Sequence, residues 1–286
     1  MIKNYINEFA VFILSHGRAD NVITYNTLIN KGYSGKIYIL CDDGDSQLNQ
    51  YKEIYGDKVI VFSKKDYENK FDKMDNFDND KSVIYARNAV YDCARKLGIQ
   101  YICVTDDDYT NFAYRVTKDY QYYPKSIINN INSVFNVFIN FLVKSKVRTI
   151  CFCQGGDFMG GSLNNDFAIK KIPKRKMMNL FFFNVDNEVK FISKLNDDVT
   201  TSLAEGIIGN VVLTCPLVSL TQKETQTNKG GLTDIYLKYG TYVKSFYSVM
   251  YAPSAVKIST LNSTHSRIHH KVKWNNVAPK IIREGT

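Results

Sequence analysis

The sequence predicts an α/β protein with a mostly parallel central sheet, flanking helices and a smaller second sheet. Three observations carry that expectation. Apolar strand-like runs alternate with segments of helical spacing through the first part of the chain. Those runs end in polar or acidic residues, as in "SHGR", "CDDGD" and "DDDY". The periodicity then changes to a long helix-like stretch followed by further strands. Alternating β and α units put helices on both faces of a parallel sheet. Ligands of such sheets lie beyond the carboxyl ends of the strands.

Element by element, "FAVFILSHGR" is a continuous apolar run with a polar end, and "NVITYNTLINKGY" has helical spacing closed by Gly32. "KIYILCDDGD" is a second strand, "QLNQYKEIYG" a helix and "KVIVFSK" a third strand. "KDYENKFDKMDNFDNDK" is charged and without period, and reads as a surface loop or short helices. "SVIYARNAVYDCARKLG" is a helix stopped at Gly98, and "IQYICVT" is a strand ending in Asp106, Asp107 and Asp108. Beyond it, "YPKSIINNINSVFNVFINFLVKS" reads as one long helix, and "VRTICFCQGGDFMGGS" as a strand entering a glycine-rich loop. "KMMNLFFFNV" suits an inner strand, and "LNDDVTTSLAEGIIG" a loop capping a helix. "NVVLTCPLVSL" and "SFYSVMYAPSAVKIST" read as strands, with the helix "LTDIYLKYG" between them.

With 286 residues, 44% of them hydrophobic, the chain can bury a sizeable core. No apolar run reaches the roughly 18 residues of a membrane span. The amino-terminal stretch lacks a small-residue cleavage site and reads as a first strand. Cys41, Cys103, Cys151, Cys153 and Cys215 sit in or beside apolar runs without any C-x-x-C pair. Buried free thiols and a cytoplasmic protein are the expectation. The formal charge of +9 is uneven: residues 41–80 are acidic, whereas "KKIPKRK" and the carboxyl-terminal tail are basic. Clustered Lys and Arg suit a polyanion, although scattered surface lysines are the plainer alternative.

The aspartate run is the sharpest chemical signal. Side chains alternate along an extended segment, so Asp106 and Asp108 share one side and can face one cation, while Asp107 turns the other way and should tolerate Asn. An acidic turn is the competing explanation.

The ordered motifs "ILSHGRADNVITYNTL", "YILCDD" and "ARNAVYDCARKLGIQYICVTDDDY" resemble the nucleotide-sugar half of a GT-A-fold glycosyltransferase. The resemblance implies a GT-A, Rossmann-like sheet, a nucleotide-sugar donor of the UDP-sugar kind, and Mn²⁺ or Mg²⁺ on Asp106 and Asp108. It implies a donor-binding set of Ser15, Arg18, Asp42 or Asp43, Arg87 and Asp107. A guanidinium such as Arg87 also suits bidentate oxyanion contacts on its own chemistry. "LNDDVTTSL" resembles the acidic motif beside the acceptor, which makes Asp198 or Asp197 the general base; helix capping competes for both. That motif usually reads Glu-Asp where this chain has Asp-Asp. Among the late histidines, His265 is favoured as a further metal ligand ahead of His269, with His270 beside them. In "QGGDFMGGS" four glycines can let backbone approach a sugar, or simply make a hairpin.

"LNDDVTTSLAEG", "LTCPLVSLTQKETQTNKGGLTDIY" and "HSRIHHKVKWNNVAPKIIRE" together resemble the bacteriophage TET-associated glycosyltransferases. That resemblance implies one domain over residues 1–286, with a nucleotide half at 1–115 and an acceptor half at 116–286. It also implies DNA carrying hydroxymethylated pyrimidines as acceptor, in the host cytoplasm, with Lys174, Arg175, Lys176, Lys271 and Lys273 on its phosphates. Rival readings are a transferase acting on polysaccharide, lipid-linked sugar or protein, and a non-catalytic nucleic-acid-binding protein on a decayed fold. A nucleotidyltransferase wants a better phosphate loop than "SHGRADN".

Overall fold

In the computed structural model the described residues are 2–75, 81–119, 121–154, 174–177, 179–223, 233–240, 242–261 and 266–279. Strand β1 (Phe9–Leu14) is buried at every residue, as a strand covered on both faces must be. It is flanked by β2 (Lys36–Asp42) and β4 (Tyr101–Asp106), and β3 (Val59–Phe62) joins beyond β2, all parallel. Helices α1 (Ile23–Asn30), α2 (Leu48–Tyr55) and α3 (Ile84–Lys96) provide the crossovers. Gly32 and Gly98, read as stops, take φ of 76° and 64°, the left-handed geometry that ends a helix without a Cβ penalty. The order β3-β2-β1-β4 reverses direction at β1. A crevice therefore opens between the carboxyl ends of β1 and β4.

The same sheet continues through the second half of the chain. Strands β5 (Tyr109–Val116), β6 (Tyr122–Ile127), β7 (Thr149–Gln154), β8 (Phe181–Asn184) and β9 (Val212–Gln222) extend it in the order β3-β2-β1-β4-β8-β7-β9-β5-β6. Here β7 and β9 are parallel, whereas β8, β5 and β6 bring antiparallel contacts. Helix α4 (Ile131–Ser145) buries Ile131, Val134, Phe135, Phe138, Ile139 and Leu142, one apolar stripe at helical spacing. Phe138 meets Phe152 with ring centroids 4.9 Å apart, and Phe135 meets Phe182 at 5.2 Å. Phe182 points to that face while Phe181 and Phe183 join the core on the opposite one, as strand alternation demands. Helices α5 (Asp197–Ile207), α6 (Thr233–Tyr239) and α7 (Val243–Tyr251) and the two-stranded sheet β10 (Val256–Leu261) and β11 (Arg267–Val272) complete the described structure. That pair is the smaller sheet expected from the sequence.

Three elements differ from the reading of the sequence. The segment opening "YPKSI" is strand β6, and α4 begins only at Ile131, where Asn130 caps it by accepting from the Ser133 amide at 3.2 Å. "SFYSVMY" is helical in α7, because Ser245, Tyr247 and Ser248 form its buried side, and only β10 is extended. Arg267–Val272 of the basic tail, a stretch given no element from the sequence, is strand β11, paired with β10. The cysteines are free, and all but Cys215 are buried. Among the described residues no helix is long and apolar enough to cross a membrane.

A third, small core joins α5, α7 and β10 through Val199, Leu203, Ala252, Ala255, Val256 and Val277. Its closeness depends on Gly206, where an added Cβ would stand 2.3 Å from the Val277 carbonyl oxygen. Gly206→Ala should therefore lower stability by about 1–3 kcal/mol through overpacking. Urea unfolding checks this; an unchanged midpoint would show that the Val277 segment does not press on α5.

Candidate active site

Sheet register builds the first wall of the cleft. Leu14 pairs with Asp106 on one side and with Leu40 on the other. The residues just past those pairs therefore meet across the strand ends. Ser15 Oγ donates to Asp107 Oδ2 at 2.6 Å and contacts the Tyr51 hydroxyl at 2.6 Å. Arg18 donates to Asp107 Oδ1 at 2.7 Å. Asp107 is buried and Asp106 and Asp108 are half-buried, the alternation expected of the run. The Asp107 carboxylate is the counter-charge of Arg18.

Asp42 closes the wall from β2. Its Oδ2 lies 2.6 Å from His16 Nδ1 and its Oδ1 lies 3.1 Å from Lys64 Nζ. Burial opposes its charge, but the His16 hydrogen bond and the Lys64 ammonium outweigh it and hold the carboxyl at about 2. Asp43 is exposed, accepts from the Lys64 amide at 3.4 Å and does not line the cleft. Of the two alternatives, Asp42 is the residue at the cleft.

The opposite wall comes from α3 and α5. Arg87, in the first turn of α3, is buried and donates to Asp197 Oδ2 while its other terminal nitrogen lies 3.5 Å from Asp106 Oδ1. The rings of Phe181 and Phe191 lie 5.0 and 5.4 Å from its guanidinium. Burial disfavours that charge, yet Asp197, Asp106 and Asp198 more than compensate and raise the Arg87 pKa. At the start of α5, Asn196 occupies the cap position in the left-handed region, with φ 57°, and makes no side-chain cap. Its amide instead donates to Ser248 Oγ at 2.6 Å and meets His270 Nδ1 at 3.4 Å. Asp197 and Asp198 therefore begin the helix, where its dipole favours negative charge, and both reach the cleft. Burial pushes Asp197 up to about 6 against the pull of Arg87. Burial acts on Asp198 too, but its ion pair with Lys176 prevails and holds its carboxyl below the usual range.

Between these walls lies a cleft of about 420 Å³. It brings together Ser15, Arg18, Asp42, Arg87, Asp106, Asp107, Asp108, Asp197 and Asp198. His265 and the glycine-rich stretch 155–162 lie outside the described residues. His269 and His270 are on β11, and His270 faces Asn196 rather than the aspartate run. Burial, then His269, Lys176 and Lys244, push the His270 pKa down to about 4. Of the basic residues, Lys176 lines the cleft, while Lys174, Lys271 and Lys273 are exposed and Arg175 is half-buried.

The donor chemistry of the aspartate run fits a hard divalent cation. Asp108 is pushed up to about 7, first by burial and then by the charges of Asp106 and Asp107, a crowding that a bound cation relieves. Among the described residues, however, the group of three compact enough to hold a metal is His16, Asp42 and Asp45, with ligating atoms within 4.8 Å of one another. Those atoms already brace the loop after β1: Asp45 accepts from the Gly17 amide at 2.8 Å, and Asp42 is shared by His16 and Lys64. His16, Lys64, Asn196, Gln154, Asn179, Gln222, Tyr236 and Lys244 also line the cleft and were not singled out from the sequence. His16 stands in the strand end "SHGR" and was within reach; scattered amides and lysines carry no pattern.

The strand-end carboxylate run and the helix-start carboxylate pair thus share one cleft. The TET-Associated Glycosyltransferase family model matches residues 9–231, and the chain belongs to that family. It is a glycosyltransferase, and the GT-A, α/β expectation stands. No curated protein matches the sequence. Among solved structures, glucosyl-3-phosphoglycerate synthase from Mycobacterium tuberculosis, in complex with Mn²⁺, UDP-glucose and glycerol 3-phosphate, is 10% identical with a TM-score of 0.46, covering 96% of this chain and 95% of its own. A cytidylyltransferase from Leptospira borgpetersenii is 10% identical with a TM-score of 0.39, over 83% and 85%.

Removing the Arg87 charge should be costly, because Asp197 would be left buried without its partner. Arg87→Met is expected to destabilise the fold by about 3–5 kcal/mol. Arg87→Lys should recover only part of this, since one ammonium cannot reach both Asp197 and Asp106 as a guanidinium does. Chemical denaturation of both variants checks the order; equal stability of Met and wild type would refute it.

Proposed function

We propose that this chain moves a sugar from a nucleotide-sugar donor, of the UDP-sugar kind, to the hydroxyl of a hydroxymethylated pyrimidine in DNA, with Mn²⁺ or Mg²⁺ as cofactor. The observation that carries the reading is the convergence of Asp106 and Asp108 with Asp197 and Asp198 on one cleft. Asp106 and Asp108 would hold the cation, which when bound neutralises the departing diphosphate. Ser15, Arg18, Asp42 and Asp107 form the wall for the nucleoside and its phosphates. Arg87 fixes the distance between that wall and the α5 carboxylates.

Asp198 takes the role of general base. Asp197 is committed to the buried Arg87, whereas the partner of Asp198 is Lys176, whose side chain is one-third exposed. The acceptor hydroxyl proton passes to the Asp198 carboxylate as the oxygen bonds to the anomeric carbon; the bond from that carbon to the diphosphate breaks, and the nucleoside diphosphate leaves. Lys176 restrains Asp198 in the free enzyme, and an acceptor phosphate that draws Lys176 away would make Asp198 more basic. Lys174, Arg175, Lys271 and Lys273 supply further cations for a polyanionic acceptor, in accord with the TET association in the family's description. A flipped base is the expected form, because a hydroxymethyl group within a duplex is poorly placed for a buried donor.

Asp108→Ala should abolish transfer while the protein still folds, since that residue lies in the turn beyond β4. Asp198→Asn should slow turnover by about 10²-fold or more with donor binding retained. Equal loss of donor affinity would assign Asp198 to binding instead. The acceptor is tested by incubating the enzyme and a nucleotide-sugar panel with DNA containing hydroxymethylcytosine, hydroxymethyluracil or unmodified bases. Nucleoside mass analysis should show a sugar on the hydroxymethylated base alone. Modification of a carbohydrate or protein while every DNA stays unchanged would overturn the DNA acceptor and leave the family assignment standing.

A further inference from the structure

A second buried ion pair lies outside the cleft, on the turn that leads into α5. Lys194 Nζ and Asp75 Oδ1 are 2.8 Å apart, with only 3% and 8% of the side chains exposed. The buried Tyr247 of α7 donates its hydroxyl to the other Asp75 oxygen at 2.6 Å. None of the three residues lines the cleft. Two charges this deep lose much of their hydration, so such a pair adds little to stability over an apolar one of similar volume. What it does fix is geometry, because each charge is stable only where the other stands.

Lys194 stands two residues before Asn196 and four before Asp198. Its amide donates to the Lys73 carbonyl at 3.2 Å, and the Ser193 amide donates to the Asp72 carbonyl at 2.8 Å. Ser82 Oγ donates to the Lys194 carbonyl at 2.8 Å. The amide, the carbonyl and the ammonium of Lys194 are thus all held by residues 73–82, the stretch that leads to α3 and its Arg87. Met74 and Ser193, one on each of the facing segments, have φ of 62° and 74°. Left-handed backbone of this kind persists where the surroundings over-determine it. On the far side, Tyr247 adjoins Ser248, which accepts from the Asn196 amide at 2.6 Å. Asp75 therefore ties the turn before α5 and the middle of α7 to one carboxylate.

We propose that Asp75, Lys194 and Tyr247 are positioning residues that hold the start of α5 where Asp198 meets the acceptor hydroxyl. The proposal rests on the reading of Asp198 as general base given above. A base works by reach, and a displacement of about 1 Å from productive geometry can cost about 10²-fold in rate. The Arg87–Asp197 pair restrains the first turn of α5 from the cleft. The Asp75–Lys194 pair restrains the chain just before it from the protein interior, at a different point. Its loss should therefore be felt at Asp198 more than at Ser15, Arg18 and Asp107, which belong to the wall formed by β1 and β4.

The test separates stability from positioning. Asp75→Asn should lower the urea midpoint, because it leaves the Lys194 ammonium buried beside a neutral group. The double variant Asp75→Leu with Lys194→Met removes both charges and should recover the midpoint. Three further readouts are taken on the double variant and on Tyr247→Phe, which keeps the packing of the ring. Hydrogen exchange of peptides covering residues 193–203 should quicken by about tenfold or more in the double variant. Its kcat on hydroxymethylated DNA, with the donor that the nucleotide-sugar panel selects, should fall by about 10- to 100-fold. Thermal stabilisation by UDP with Mn²⁺ should stay close to wild type. Tyr247→Phe should act in the same direction and less strongly. Wild-type exchange and wild-type kcat in both variants would reduce the pair to a structural contact and overturn the proposal, as would a parallel loss of UDP stabilisation. If wild type transfers no sugar from any donor, the donor and acceptor reading fails; the exchange rates then still decide whether the pair holds the turn, a result distinct from that failure.

Discussion

The buried Arg87 guanidinium is the constraint on which the site depends. One side reaches Asp106 at the end of β4, the other Asp197 at the start of α5, residues more than ninety positions apart. A charge this deep is tolerated only when its partners are close and its flat faces are packed. Phe181 and Phe191 provide the packing, and they belong to the same core as the α3 residues Ile84 and Tyr91. The aromatic core therefore determines where the guanidinium lies, and the guanidinium determines how far apart the two acidic centres stand. The end of β4 and the start of α5 are thus tied through one side chain.

Charge is arranged differently on the two sides of that link. Along the β1–β2 wall, cations and carboxylates meet within the framework: Arg18 with Asp107, Lys64 with Asp42. Those pairs hold loop geometry and leave little net charge. Toward α5 the basic residues lie at the cleft edge or on the surface, with Lys176, Lys244 and His270 near Asp198, and Lys271 directly opposite Lys257 on the β10–β11 ribbon. Like charges facing each other across a ribbon destabilise it slightly. An anion bound beside them would offset that cost, in keeping with the acceptor proposed above.

Much of this was legible in the sequence, for reasons that mark its limits. The strands β1, β2 and β4 and the helix α3 carry unbroken apolar or helical periodicity, and their acidic ends fall where parallel strands bind ligands. Ser15, Arg18, Asp42, Arg87 and the aspartates follow from that topology. What was missed is non-local. The segment "YPKSI" has no preference strong enough to separate strand from helix, and its pairing with β5 decides it. The alternation in "SFYSVMY" fits either period, and packing of α7 against the ribbon settles it. Gln154, Asn179 and Gln222 are single amides in three distant stretches, and only the sheet order makes them neighbours.

Where the chain departs from local rules, the departures gather at the cleft. Asn196 holds a left-handed backbone that a β-carbon disfavours, and two consecutive carboxylates follow it. Ser193, three residues earlier, also has positive φ, at 74°. Among the described residues, the Nε atoms of Arg18 and Arg87 are buried and meet no hydrogen-bond partner. Each feature alone lowers stability, and strained or unsatisfied groups persist only where surrounding structure over-determines them. Here that surround is visible: Ser193 Oγ donates to the Leu195 carbonyl at 2.5 Å, Thr200 Oγ1 donates to the Asn196 carbonyl at 3.0 Å, and Ser248 accepts from the Asn196 amide. The turn is thereby locked from α5 itself and from α7. A helix capped in the ordinary way by Asn196 would use that side chain on its own first turn and release the tie to α7 and β11. The unusual backbone instead joins the acidic pair to α7 and, through His270, to the basic ribbon.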